Sequence, residues 1–187
     1  MTLPPAPPLH APPAVILPYG AHRPRVAASA FLAPQTSLIG DVHVGEESSI
    51  WFGSTLRGDV QPIRIGDRTS IQDNSVIHAT DGWAPTVVGD DCVVGHAVVL
   101  HGCHLGSRVL IGMGSIVMDA ARLGDDVILG AGSLVTARSE IPPGTLAMGR
   151  PAKVKRELTD EERARIRAGA AHYVAKCRSY RETLASL

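Results

Sequence analysis

Aliphatic residues recur at every sixth position over most of this chain. A six-residue period matches neither the 3.6-residue repeat of an α-helix nor the simple alternation of a hairpin sheet. It predicts a solenoid that turns a corner every six residues and points one branched side chain inward, so that three steps close a coil of about 18 residues. The predicted inward positions are Val26, Leu32, Leu38, Val44, Ile50, Leu56, Ile65, Ile71, Ile77, Val88, Val94, Leu100, Leu105, Ile111, Val117, Leu123, Leu129, Val135 and Ile141.

Many of these inward positions are followed directly by glycine, as in Ile65-Gly66, Val88-Gly89 and Leu105-Gly106. Glycine suits a bend at which the backbone needs a positive φ or approaches the neighbouring coil closely. The pattern resembles the left-handed parallel β-helix of hexapeptide-repeat proteins and extends over residues 26–148. We therefore predict an all-β solenoid, a left-handed parallel β-helix of hexapeptide repeats with a C-terminal α-helix.

The two ends of the chain depart from this pattern. Eight of the 14 prolines lie in the first 24 residues, and we predict a disordered, proline-rich arm over residues 1–14, the β-helix over 15–148, and a linker with the C-terminal helix over 149–187. Thr159 and Glu162 have the spacing of a capping box at the start of that helix. An apolar stripe follows, typical of a helix that packs along the solenoid or against a neighbouring subunit; it comprises Ile166, Ala170, Tyr173, Cys177, Tyr180 and Leu184.

Composition excludes several classes of function. The 187 residues include 18 basic and 18 acidic side chains and carry no net charge, so we expect neither a nucleic-acid nor a membrane partner. No apolar run approaches the length of a membrane span, and the start lacks the features of a secretory signal. The three cysteines are an odd, sparse set, typical of a protein of the reducing cytoplasm.

Two histidines occupy the same phase of the repeat. His78 directly follows the inward Ile77, and His101 directly follows the inward Leu100. They lie 23 residues apart, which is one 18-residue coil plus a five-residue insertion in the loop after His78. The arithmetic therefore stacks them on neighbouring coils about 4.8 Å apart, where two imidazoles can bind one zinc ion. Arg57 continues the same column one coil earlier.

His96 has a different phase, because it lies two residues after the inward Val94. One chain would not easily bring it to the other two histidines, whereas a threefold trimer packs one face of each prism against a different face of its neighbour. The sequence therefore predicts a homotrimer with an intersubunit metal site, to which one chain gives two ligands and the next chain gives the third. Three protein ligands leave a fourth position open, as in catalytic zinc sites.

Several short segments resemble the signature of the γ-class carbonic anhydrase-like proteins: Arg57-Gly58-Asp59, Ile71-Gln72-Asp73, His78, Gly95-His96 and Leu100-His101-Gly102-Cys103. The resemblance implies that the three histidines bind zinc, or iron or cobalt, at the trimer interface. It also implies an intersubunit salt bridge between Arg57 and Asp59. Gln72 matches a glutamine that hydrogen-bonds the metal-bound hydroxide or bicarbonate, and Asp73 matches a structural acid of the interface; otherwise both are ordinary polar residues of a solenoid face.

The reaction that the resemblance implies is reversible hydration of CO2 to bicarbonate by a metal-bound hydroxide. Well-characterised members carry a glutamate where this chain has Val60, and an acidic shuttle loop where it has a shorter loop with Asp81. Asp81 is either a substitute proton shuttle or a solvated turn former. Tyr173 resembles a tyrosine that enters the site in short-chain members, although a packing role in the helix stripe fits it as well.

Three other functions compete with this interpretation. A hexapeptide acyltransferase uses a histidine base, but it needs no stacked histidines and has a long acceptor-binding loop that is missing here. A thioesterase of the same family would use the same zinc site on an acyl-CoA. A catalytically silent metal-binding scaffold would bind the metal without turning over either substrate.

Overall fold

The structure, a computed structural model, describes residues 12–185. Most of the predicted proline-rich arm, residues 1–14, lies outside these residues. At the end of the arm, the Pro12 carbonyl accepts a hydrogen bond from the backbone N–H of Gln35 at 3.2 Å. No helix within the described part of the chain is long and apolar enough to cross a membrane.

Short parallel strands wind into a solenoid of about seven turns, followed by one helix, which confirms the predicted fold class. The strands are β1 (Val15–Leu17), β2 (Arg25–Val26), β3 (Phe31–Leu32), β4 (Ser37–Val44), β5 (Ser49–Ile50), β6 (Thr55–Ile65), β7 (Ser70–Ile71), β8 (Val76–His78), β9 (Thr86–Val88), β10 (Val93–Val94), β11 (Val99–His101), β12 (His104–Leu105), β13 (Leu110–Ile111), β14 (Ile116–Val117), β15 (Arg122–Leu123), β16 (Ile128–Leu129), β17 (Leu134–Val135), β18 (Glu140–Ile141), β19 (Thr145–Gly149) and β20 (Ala152–Glu157), and the helix is α1 (Asp160–Ala185).

The strands form three faces, which the chain visits in order. Face 1 contains β3, β5, β7, β10, β13, β16 and β19. Face 2 contains β8, β11, β14 and β17, and face 3 contains β9, β12, β15 and β18. The long strands β4 and β6 run through the corner from face 2 into face 3, with a register shift between Gly40 and Val42. We call the corner between faces 1 and 2 corner A, and the corner between faces 2 and 3 corner B.

The inward aliphatic residues form one continuous core along the solenoid axis. Those of face 2 stack in register, with Leu56 opposite Ile77, Ile77 opposite Leu100 and Leu100 opposite Val117. Their side chains are fully buried. Truncating a buried leucine or isoleucine to alanine typically lowers the free energy of unfolding by about 2–5 kcal/mol. The stacked core fixes the phase of every residue around the coil, and so fixes which way the histidines point.

The segment after the solenoid differs from the predicted linker. Ala152–Glu157 forms β20, which pairs antiparallel with β19 and returns the chain along the last coil. The predicted capping box is present: the Thr159 N–H donates to the Glu162 carboxylate at 3.0 Å, and the Glu162 N–H donates to the Thr159 hydroxyl at 3.2 Å. The helix therefore begins where the capping residues predict, directly after a strand that lacks the six-residue pattern.

Helix α1 packs along face 1 of its own chain, which decides between the two predicted partners. Its apolar stripe enters two clusters on that face. In one cluster Cys177 packs against Trp51 and Phe31 with Tyr173, Tyr180 and Leu184 around them. In the other, Ile166 packs with Ile128 and Leu158. Face 1 is thus covered by the helix, while faces 2 and 3 are not.

Glu162 gives the stability of the helix a pH dependence. Hydrogen bonds from Arg156 and from the Thr159 N–H hold the pKa of Glu162 at about 2, below its usual 4.5. The ionised Glu162 therefore contributes fully to the free energy of unfolding above pH 4.5, and this contribution is lost as the pH falls towards 2. We expect Glu162→Gln to lower the free energy of unfolding at neutral pH, measured by urea titration, and the difference from wild type to close in acid. A difference that does not change with pH would contradict this account.

Candidate metal centre

The column along corner B includes Arg57, His78, His101 and Met118. Each directly follows an inward aliphatic residue, so all four lie at one phase of the coil. The strand register pairs His78 with His101, and the flanking pairs Leu56–Ile77 and Leu100–Val117 place Arg57 and Met118 one coil to either side. The predicted stacking of the two histidines with Arg57 is therefore confirmed.

The two stacked imidazoles face each other through one nitrogen each. Nδ1 of His78 lies 3.2 Å from Nε2 of His101. A tetrahedral zinc ion with Zn–N bonds of about 2.05 Å holds two of its ligand nitrogens about 3.3 Å apart. The separation of the two nitrogens thus fits two ligands of one metal ion.

Carboxylates bind the opposite edges of both rings. Oδ1 of Asp59 lies 3.1 Å from Nε2 of His78, and both carboxylate oxygens of Asp119 lie 3.0 Å from Nδ1 of His101. A carboxylate partner fixes the N–H on the nitrogen that it contacts, so the other nitrogen presents a lone pair. Both lone pairs then point to the same place, as a cation requires.

Burial favours the metal-binding form of His78. Loss of hydration lowers the pKa of His78 below its usual range, although the hydrogen bond to Asp59 opposes this shift. Burial alone would raise the pKa of Asp59, but hydrogen bonds from Arg57 and His78 hold it below its usual range. A neutral imidazole beside an ionised carboxylate is the state in which histidine binds metals.

Arg57 and Asp59 form an ion pair within one chain, and the intersubunit salt bridge that the resemblance implies stays a prediction. The pair within one chain has a local reason: residues two apart on strand β6 point to the same side of the sheet. One Asp59 oxygen contacts Arg57 and the other contacts His78. Asp59 therefore links the guanidinium to the histidine pair.

Asp119 is a site residue that the sequence analysis missed. It lies on the next coil, one residue beyond the position that stacks on His101, and it is 8% exposed. Burial alone would raise the pKa of Asp119, but hydrogen bonds from His101 and Thr80 hold it below its usual range. The six-residue pattern gives no signal for this acid, because Asp119 lies one residue beyond the phase of the histidines.

Removing the Asp119 carboxylate should weaken metal binding without unfolding the protein. Loss of a group that orients a ligand typically lowers metal affinity about 10- to 100-fold. We expect metal affinity to fall by this factor in Asp119→Ala. It should fall less in Asp119→Asn, because the asparagine side chain keeps an acceptor for the His101 N–H. Competition with a chelator measures the affinity of both variants. Asp91→Ala is the control, since Asp91 pairs with Arg68 away from the histidines. Equal effects of Asp91→Ala and Asp119→Ala would contradict the assignment.

His96 lies on corner A, at the opposite edge of face 2 from the histidine pair. Its Nδ1 contacts Oδ2 of Asp73 at 2.7 Å, which leaves Nε2 exposed on the outside of the coil. Among residues 12–185 of one chain, no three histidine, cysteine, aspartate or glutamate side chains form a metal-binding group. One chain thus presents two histidines at one edge of face 2 and a third at the other edge.

The other predicted site residues are spread around these corners. Gln72 is buried on corner A beside Asp73. Tyr173 packs edge-on against Trp51 with ring centroids 5.8 Å apart, so the structure supports its packing role. Asp81 is exposed in a turn of the loop after His78. Burial raises the pKa of the Cys103 thiol to about 12, as for an unreactive packed side chain.

Comparisons with known proteins agree with the fold. The hexapeptide repeat of succinyl-transferase matches residues 62–100, and the bacterial transferase hexapeptide (six repeats) matches residues 102–137. The solved structure of a hexapeptide transferase family protein from Anaplasma phagocytophilum has a TM-score of 0.85 and is 43% identical, covering 89% of this chain and 98% of that one. Fold and repeat together define a hexapeptide-repeat protein.

Curated relatives narrow this class to a family. A carbonic anhydrase of Geobacillus kaustophilus is 47% identical over 167 residues, which cover 89% of this chain and 91% of that protein. Protein YrdA of Escherichia coli is 46% identical over 167 residues, 86% of this chain and 90% of that protein. The chain belongs to the γ-carbonic anhydrase-like family of hexapeptide-repeat proteins. Because similar relatives carry both names, membership alone does not assign an activity.

Proposed function

We propose that this protein is a zinc-dependent γ-class carbonic anhydrase that hydrates CO2 reversibly to bicarbonate at the subunit interfaces of a homotrimer. The observation that carries the proposal is the histidine pair: two ring nitrogens 3.2 Å apart, each set by a carboxylate on the far side of its ring. His78 and His101 of one chain and His96 of the partner subunit would hold the metal.

The three histidine side chains are suitable ligands for zinc. Three neutral imidazoles fit zinc, and they also fit iron or cobalt. Zinc bound by three histidines lowers the pKa of a coordinated water to about 7, which supplies hydroxide at neutral pH. The chain's own carboxylates, Asp59 and Asp119, keep the outer ring nitrogens protonated and the inner ones free for the ion.

The surface between the two corners supports the proposed trimer. Face 2 carries an outward column of apolar side chains, from the exposed Val76 through Val99 and Ile116 to Leu134. His96 borders one edge of this face, and the histidine pair borders the other. Packing face 2 of three chains around a threefold axis covers the apolar column and brings the His96 edge of one chain to the histidine-pair edge of the next.

The remaining polar residues have roles around this centre. Arg57 supplies a positive charge beside Asp59, which favours binding of the bicarbonate anion. Gln72 of the partner subunit, on the corner that carries His96, would orient that anion through its side-chain amide. Val60 is exposed and cannot carry a proton, so the proton passes to Asp81 or directly to buffer. We therefore expect turnover to rise with buffer concentration.

Metal content measured together with two activities tests the proposal. The purified trimer should contain about one zinc per chain, as three-histidine catalytic sites do, and should hydrate CO2 in stopped-flow assays. The same preparation is assayed for acyl-CoA hydrolysis. CO2 hydration that disappears on chelation and returns with zinc supports the proposal. Acyl-CoA hydrolysis alone would replace it with the thioesterase, and bound zinc with neither activity would replace it with the scaffold.

A further inference from the structure

The loop after His78, residues 79–85, extends along corner B over the coils that follow. We call it the corner B loop. At its tip, the guanidinium of Arg138 lies over the Trp83 ring, 5.1 Å from the ring centroid. Arg138 belongs to the second coil after that of His101, as the strand register shows. The loop thus begins beside one histidine of the pair and is held at a point beyond the other.

The contact between Trp83 and Arg138 anchors the loop tip. Trp83 is 49% exposed, although large aromatic side chains favour burial. In the part of the chain that the structure describes, the Arg138 guanidinium pairs with no carboxylate. A guanidinium over the face of an indole is attracted by the negative charge of that face. The pair therefore ties an exposed loop to the solenoid.

The base of the corner B loop is fixed by Thr86. Its hydroxyl donates to the His78 carbonyl at 2.5 Å and accepts from the Gly102 N–H at 2.8 Å. The loop also passes close to Gly102, where a Cβ would lie 3.3 Å from the carbonyl oxygen of Ala84. The corner B loop is therefore tied to the solenoid at both ends.

Between these anchors the loop contacts the carboxylate of Asp119. Thr80 donates to this carboxylate through its hydroxyl and its backbone N–H. The same carboxylate accepts from the Nδ1–H of His101, with both oxygens 3.0 Å from that nitrogen. An ionised carboxylate accepts from several donors and rotates readily about its terminal bond unless they hold it. The loop therefore restricts Asp119 to the orientation in which it meets His101.

We propose that Thr80 and Arg138 are positioning residues of the metal centre. Arg138 holds the corner B loop in place through Trp83. The loop keeps Thr80 against Asp119, which in turn orients His101. The inference rests on the proposed function for the metal that His101 would bind, but every contact in it lies within one chain.

Exchange of the His101 ring proton tests these contacts without a metal. In metal-free protein with isotope-labelled histidines, NMR spectroscopy should show slow exchange of the His101 Nδ1–H with water, because Asp119 holds it. Thr80→Val and Arg138→Gln should each speed this exchange several-fold. Thr80→Ser keeps the hydroxyl and should stay near wild type. Arg122→Gln is the matched control, since Arg122 is exposed on the coil between those of His101 and Arg138.

Zinc affinity tests whether the loop tip acts as one unit. Arg138→Gln should lower the affinity by up to about tenfold, the lower end of the loss typical when a group that orients a ligand is removed. Arg138→Lys keeps a cation over the ring and should lose less. Trp83→Leu should match Arg138→Gln, and the double variant should bind zinc no more weakly than either, because each change frees the same loop tip. Chelator competition measures the affinities, and Arg122→Gln should equal wild type.

The results separate this inference from the proposed function. If the wild-type protein binds zinc without hydrating CO2, the proposed function fails, and the zinc affinities still test the loop. If it binds no zinc, the exchange of the His101 proton decides. Additive effects of Trp83→Leu and Arg138→Gln, or an equal loss in Arg122→Gln, overturn the role of Arg138. Unchanged proton exchange in Thr80→Val overturns the role of Thr80.

Discussion

If the proposed function holds, replacing His96 with alanine is expected to remove zinc from a homotrimer that otherwise remains assembled. The His96 side chain is exposed on the outside of the coil, so its loss should not disturb the buried core. Without it, the histidine pair is left with two protein ligands, and we expect zinc affinity to fall by more than the roughly 100-fold seen when only an orienting group is lost. Chelator competition measures the affinity, and sedimentation equilibrium measures the mass of the trimer.

A matched control and a mixing experiment make this result specific. His104→Ala removes an exposed histidine of the same coil, on face 3, and should retain zinc. Co-expressed His96→Ala and His101→Ala chains should regain about one zinc per mixed trimer, because one interface then carries three intact ligands. Full zinc retention by His96→Ala, or the absence of complementation in the mixed trimers, would contradict a site shared between chains.

The sequence could predict the histidine pair because position in the coil alone fixes side-chain direction. His78 and His101 each follow an inward aliphatic residue, and the structure stacks them in register despite the inserted loop. The same arithmetic put His96 on another corner. The position of a residue around the coil is fixed by the stacked core. It can therefore be predicted from the pattern of Ile, Leu and Val, without knowledge of any contact between side chains.

Contacts between side chains could not be predicted in this way. Asp119 lies one residue beyond the histidine phase, and only its bond to His101 distinguishes it from the acids of other coils. The pairing of Arg57 with Asp59 inside one chain depends on rotamers, which spacing does not fix. Strand β20 has no six-residue period, because it pairs antiparallel with β19 at the end of the solenoid instead of adding a coil.

Gly89→Ala is expected to destabilise the solenoid severely, although it adds a single methyl group. Gly89 follows the inward Val88 at the corner between faces 3 and 1. An alanine Cβ there would lie 2.6 Å from the carbonyl oxygen of Gly106 and 2.8 Å from the backbone nitrogen of Ser107. Backbone atoms of a stacked coil cannot move aside separately, so the two coils must separate and weaken the hydrogen bond from the Gly89 N–H to the Leu105 carbonyl. We expect a loss of about 3 kcal/mol.

The same substitution elsewhere in the chain should have the opposite sign. Gly169 lies inside helix α1, and its Cβ would meet only Cγ2 of Val93 at 3.5 Å, an ordinary contact. Replacing glycine with alanine within a helix gains about 1 kcal/mol. Urea unfolding of both variants at one protein concentration compares them, since the stability of any oligomer depends on protein concentration. Equal stability of Gly89→Ala and wild type would mean that neighbouring coils are not held at the close approach on which the stacking of His78 over His101 depends.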